Sequence, residues 1–110
     1  MPNVRRSSLS ARFGASHIVA SDPACSRVHG HQYTVQAWWD AASKVDRFVV
    51  RGVILEFDSM HLNDMIPAAP ATVDGLAGYL LERLSILGVT KVEVYESDTG
   101  RGAEVERLPG

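Results

Sequence analysis

Two runs of alternating residues near the start of the chain set the strongest limit on its fold. From Leu9 to His17 the odd positions Leu9, Ala11, Phe13, Ala15 and His17 face one way, while Ser8, Ser10, Arg12 and Ser16 face the other. From His29 the pattern returns, with His29, His31, Tyr33, Val35, Ala37 and Trp39 set against Gly30, Gln32, Thr34, Gln36 and Trp38. A period of two belongs to β-strands. Both runs therefore read as half-buried strands whose histidines share the apolar side. The intervening loop VASDPACSRV carries Asp22-Pro23 as its turn signal, and a hairpin through it brings His17 beside the other two.

The rest of the chain is read in the same way. AASKVDR is expected to form the loop of a long hairpin, with Phe48 to Phe57 (FVVRGVILEF) as the returning strand. Trp38 and Trp39 must point to opposite faces. One of them therefore leaves the core to pack on a partner subunit or the hairpin arm, or is a single exposed tryptophan. Val73, Leu76, Ala77, Leu80, Leu84 and Leu87 follow the helical spacing, with Thr72 as N-cap, Asp74 at the positive end of the dipole and Gly88 as the stop. A strand from Thr90 to Glu96 sets Val92 and Val94 inward, and by the same parity Glu96 too. A short edge strand through Ala103 to Val105 ends before Pro109. This order of elements indicates an α+β fold, an antiparallel sheet with its helix on one face.

The 110 residues suit a single domain spanning 1–110, and 45% hydrophobic with 22% charged residues is ordinary globular composition. The net charge of -2 comes from mixed signs without a long basic run, so nucleic acid is not an expected partner. A single cysteine forms no internal disulfide and requires no oxidising compartment, which makes the cytoplasm the expected location. The opening MPNVRRSSLSARFGASH lacks the apolar core of a signal peptide, and no apolar stretch reaches the roughly 18 residues of a membrane span. A soluble, unprocessed protein is expected.

CSRVHGH, Cys25 to His31, carries the chemistry. His29 and His31 lie two apart on one strand, roughly 6 to 7 Å apart at the backbone, a span one metal ion can bridge. With His17 they offer three imidazoles and no obvious fourth protein ligand, the pattern of a catalytic zinc site with an open position. The competing reading makes all three satisfied core or interface residues. Cys25 either closes the shell as a fourth ligand or stands off it as a thiolate base or nucleophile, and spacing does not separate the two.

FGASH (13–17), CSRVHGHQY (25–33), GVILEF (52–57), HLND (61–64), ATVDGLA (71–77) and VEVYES (92–97) together resemble the 6-pyruvoyl-tetrahydropterin synthase family, which includes the 6-carboxy-tetrahydropterin synthases of the queuosine pathway. The resemblance runs collinearly from about Phe13 to Ala103. It implies the tunnelling fold, a four-stranded antiparallel sheet with helices on one face, assembling into a homo-oligomer with sites at subunit interfaces. It implies zinc on His17, His29 and His31, Cys25 as the proton-abstracting catalytic residue, and Glu96 gripping a pterin substrate, with Thr72 assigned beside it. An inward carboxylate at a strand end is costly without a partner, and a pterin's amino and ring N–H groups supply one. The implied reaction is lyase chemistry on the side chain of 7,8-dihydroneopterin triphosphate. It ends in triphosphate elimination with isomerisation, or in loss of acetaldehyde to leave 6-carboxy-tetrahydropterin.

The chain departs from the family pattern between residues 56 and 64. Glu56-Phe57 stands in place of the family's DF, and the first helix is expected to be shortened. The family's catalytic Asp-His pair has no full match. Its histidine position, three before Leu62, is Ser59, while Asp58 fits the aspartate register and His61 directly precedes Leu62. Asp58 and His61 are thus the candidates for the proton relay to Cys25. If neither serves, the chain is a zinc- and pterin-binding paralogue without the standard turnover, or an enzyme of the same fold acting on another dihydropterin.

Overall fold

The computed structural model describes residues 3–19 and 27–108. The Asp22-Pro23 turn, Cys25 and Pro109 lie outside the described residues. Strand β1 (Arg6–His17) pairs antiparallel with β2 (His29–Asp40) over their full lengths, in a register that sets Arg6 against Asp40 and His17 against His29. The two alternating runs thus form one long two-stranded ribbon. β3 (Lys91–Glu96) pairs with β2, and β4 (Gly102–Glu106) with β3, giving a four-stranded antiparallel sheet in the order β1-β2-β3-β4.

One face of the sheet carries the core. Ala11, Phe13, Val35, Ala37, Val92 and Val94 pack against Val50 and Ile54 of helix α1 (Arg47–Leu55) and Leu76, Leu80 and Leu84 of helix α3 (Val73–Ser85). The opposite face keeps the polar positions of the alternation. Trp39 is buried on the core side with the Arg47 guanidinium over its ring, while Trp38 lies on the far face beneath the Lys91 ammonium. Each ring is therefore covered by a cation from within the chain.

The stretch Phe48 to Phe57 corrects the expected returning strand. It is helix through Leu55 and then turn, not strand, and AASKVDR links β2 to α1 rather than closing a hairpin. Two physical features decide this. The Asp46 carboxylate accepts from the backbone N–H groups of Phe48 (3.0 Å) and Val49 (3.3 Å), satisfying two of the donors a helix start leaves open. Val50, Val53, Ile54 and Phe57 then recur at i, i+3, i+4 and i+7 and turn toward the sheet, whereas Phe48 stays 88% exposed. An unbroken apolar run fits either period, and here packing overrode the strand preference of its valines. The short first helix is thus built from residues 47–55 and followed by the single-turn helix α2 (Leu62–Met65).

Helix α3 forms as its spacing predicts. Thr72 Oγ1 accepts from Gly75 N–H at 3.2 Å, and Gly88 takes φ +103° three residues after the last helical position. Gly75 has a second role. A Cβ there would run into the carbonyl of Pro70, so the absence of a side chain lets the 70–72 segment lie against the first turn of the helix.

Candidate metal centre

The ribbon register builds the site. His17 ends β1 and His29 begins β2 as direct partners, and His31 follows two residues on along the same face. The three rings stand edge to face with centroids 4.5, 4.8 and 5.0 Å apart, and one ligand nitrogen from each lies within 4.8 Å of the others. Tyr33, next along that face of β2, sits edge-on to His17 and His31. Among the described residues these three histidines could hold a metal ion.

Hydrogen bonding decides which nitrogen of each ring is left for that purpose. His17 Nδ1 donates to the Ala71 carbonyl (2.6 Å), His29 Nδ1 to the Arg27 carbonyl (2.7 Å), and His31 Nδ1 to both carboxylate oxygens of Asp98 (2.9 and 3.0 Å). An imidazole that donates through Nδ1 carries its free lone pair on Nε2. Among the described residues the Nε2 atoms of His17 and His29 are buried without any hydrogen-bond partner. Buried polar atoms are rarely left so, and two of them facing one spot fit a divalent cation better than a closed core. Zinc suits this all-imidazole donor set.

Electrostatics favour the neutral form of His17. Burial pushes the His17 imidazole below its ordinary value, helped by its two histidine neighbours, while the Ala71 carbonyl and Glu96 pull the other way. The hydrogen bond from His31 holds the Asp98 carboxyl below the usual aspartate range.

Glu96 is buried at the end of β3, on the inward side that its parity indicates. Its Oε1 accepts from Thr99 Oγ1 (2.6 Å), and Oε2 lies 3.8 Å from His31 Nε2. The carboxylate thus adjoins the triad. Thr72 lies next to Ala71, whose carbonyl orients His17, and it lines a cleft of about 500 Å³ with Ile18, His61, Asn63 and Pro70.

Asp58 and His61 lie along the outer edge of β1. Ser59 N–H donates to the Gly14 carbonyl (2.7 Å) and Ser16 N–H to the Met60 carbonyl (3.0 Å), so this segment zips along the free edge of β1. Asp58 Oδ1 accepts from Gly14 N–H at 3.1 Å, and His61 Nδ1 shares a hydrogen bond with Ser16 Oγ at 2.9 Å. Both side chains serve that edge, and neither joins the histidine cluster. Sequence reasoning passed over two further groups. Asn63 grips both backbone groups of Ile18, the residue after His17, at 2.9 and 3.0 Å. Asp98 holds His31. The cross-strand register between β2 and β3 would have pointed to Asp98, but register is not written in either strand alone.

The family model for 6-pyruvoyl tetrahydropterin synthase matches residues 7–107. The chain belongs to the 6-pyruvoyl tetrahydropterin synthase family. Among solved structures, the 6-pyruvoyl tetrahydropterin synthase of Caenorhabditis elegans superposes with a TM-score of 0.77 at 15% identity, covering 96% of this chain and 97% of that one. An uncharacterized protein from Wolinella succinogenes reaches 0.69 at 15% identity, covering 97% and 100%. The Plasmodium falciparum 6-pyruvoyl tetrahydropterin synthase reaches 0.54 at 13% identity, covering 97% and 100%. At these identities the likeness is one of fold, and it is the tunnelling fold expected for a synthase of this family. No curated protein matches the chain at comparable strength. Among the described residues no helix is long and apolar enough to cross a membrane.

Proposed function

We propose that this family member is a zinc-dependent lyase acting on the side chain of 7,8-dihydroneopterin triphosphate, in the manner of a 6-carboxy-tetrahydropterin or 6-pyruvoyl-tetrahydropterin synthase. One observation carries the reading. Three histidine rings have their Nδ1 atoms tied down by hydrogen bonds, and two of the remaining nitrogens are buried beside each other with no partner. His17, His29 and His31 would hold the metal through Nε2. A zinc ion bound there supplies a Lewis acid that draws electron density from substrate oxygens.

The chain's own residues do the rest. The buried Glu96 accepts hydrogen bonds from the pterin's amino and ring N–H groups, which offsets the cost of holding its carboxyl group out of water. Thr72 lines the neighbouring cleft and limits where the ring can lie. Cys25 moves the proton at the side-chain carbon; in sequence it lies between the ligands His17 and His29. The protein works in the cytoplasm as a homo-oligomer with sites at its interfaces, without nucleic acid or membrane as partner.

A second reading has its own support. Asp58 and His61 are both engaged along the β1 edge, so within one chain neither relay candidate belongs to the histidine group. A zinc- and pterin-binding paralogue without the standard turnover follows, or an enzyme for a different dihydropterin. Incubating zinc-loaded protein with 7,8-dihydroneopterin triphosphate separates these readings. Release of acetaldehyde or triphosphate that disappears in Cys25→Ala supports the lyase. Tight pterin binding with no product supports the binder, and a protein that takes up no zinc contradicts both.

A further inference from the structure

We propose that Asp98 is a positioning residue for the metal centre: its carboxylate fixes the tautomer and ring orientation of His31 and strengthens that ring as a ligand. The inference rests on the metal-site reading of the histidine triad, and its test is arranged so that the two can fail separately.

The three ligand candidates are not held alike. His17 and His29 donate to main-chain carbonyls, which any residue at 71 or 27 would provide. Only His31 is held by a side chain, and by both oxygens of it. The backbone explains how Asp98 reaches this place. The β2–β3 ladder pairs Tyr33 with Glu96, and Ser97 N–H continues it by donating to the Gln32 carbonyl at 2.8 Å. One step further in the same register sets residue 98 opposite His31.

The turn beyond is stiff. Gly100 N–H donates to the Glu96 carbonyl and Glu96 N–H to the Arg101 carbonyl, both at 2.8 Å, and Arg101 N–H donates to Thr99 Oγ1 at 3.2 Å. Gly100, at φ +76°, takes a conformation that a side chain would oppose. Asp98 is therefore delivered to His31 by a preorganised turn, although more than half of its side chain is open to solvent.

An exposed aspartate placed this way has a chemical use. A carboxylate accepting from the Nδ1–H of a ligand imidazole leaves the lone pair on Nε2, raises its basicity and offsets the cation's charge. Among the described residues the three candidate ligands are all imidazoles, which bring no negative charge to the metal, so a carboxylate one hydrogen bond away matters more than it would in a thiolate-rich site.

Two measurements at one fixed pH test this. Competition of Zn2+ against a chromogenic chelator should show affinity falling by about 10- to 100-fold in Asp98→Ala. Asp98→Asn keeps an acceptor without the charge and should fall between Asp98→Ala and wild type. Affinity in Asp98→Ala equal to wild type, or a loss matched by unfolding of the metal-free variant, overturns the proposal. Nitrogen NMR of the metal-free protein supplies the independent readout. His31 should be a single Nδ1–H tautomer in wild type and in Asp98→Asn, and a mixture in Asp98→Ala. If wild type binds no zinc, the metal-site reading fails, while an unchanged His31 tautomer in Asp98→Ala would still overturn the role given to Asp98.

Discussion

Two histidine-bearing clusters lie along β1, and they differ in what hydrogen bonding leaves available. At the β1–β2 end, each Nδ1 of His17, His29 and His31 is engaged by an oxygen, and among the described residues the Nε2 atoms of His17 and His29 are buried without a partner. Along the outer edge of β1, Asp58 and His61 are engaged instead by Gly14 N–H and Ser16 Oγ, as parts of a backbone seam. The first cluster could hold a metal ion, and the second closes the sheet edge. Residue type alone does not distinguish them, because both present the side chains that acid-base and metal chemistry use.

The comparison breaks most sharply at a ligand. His29→Ala should reduce zinc from about one per chain to near none by metal analysis, a larger loss than the ~100-fold upper range for an outer-shell substitution. His61→Ala should leave zinc content unchanged. Equal loss in both would erase the distinction between the clusters.

Gly75→Ala should come next. The added methyl meets the Pro70 carbonyl and must displace the segment carrying Ala71. The expected cost is about 1–3 kcal/mol in chemical denaturation. Zinc affinity should weaken as well, because His17 loses its Ala71 acceptor. A variant as stable and as tightly metallated as wild type would contradict the packing described for the 70–72 segment.

Acid sharpens the contrast further. Burial holds the His17 imidazole below the ordinary value of about 6.5. Just under that value the unfolded chain therefore binds more protons than the folded one, and stability rises with pH. The metal-free protein should lose stability as pH falls from about 7 to about 5, and zinc should be released over the same interval as the ligands protonate. Removing the ring in His17→Asn should flatten the stability profile. A profile unchanged by that substitution would refute the assignment.

The smallest effect is expected at Asp58. Its bond to Gly14 N–H is exposed, so Asp58→Ala should cost no more than about 1 kcal/mol and leave zinc uptake alone. If the variant instead keeps full stability and loses all turnover, Asp58 belongs to the chemistry rather than to the seam.

What could be read in advance follows from how local each signal is. Strand parity needs only neighbouring residues, so the shared face of the three histidines and the inward Glu96 were legible from β1, β2 and β3 alone. The cap and stripe of α3 are equally local, running from Thr72 to Leu84. FVVRGVILEF was not legible as a helix. Its apolar positions satisfy two periods at once, and the deciding partners, Phe13 and the sheet, lie far away in the chain. The contacts of Asp98, Asp58 and His61 were hidden for the same reason: each depends on a strand register or edge pairing between segments more than forty residues apart.

X-ray absorption at the zinc edge of the reconstituted protein tests the central claim most directly. The account predicts three imidazole nitrogens at about 2.0–2.1 Å with a light oxygen donor in the remaining position. A sulfur shell at about 2.3 Å, placing Cys25 on the metal, or fewer than three imidazoles, would contradict it.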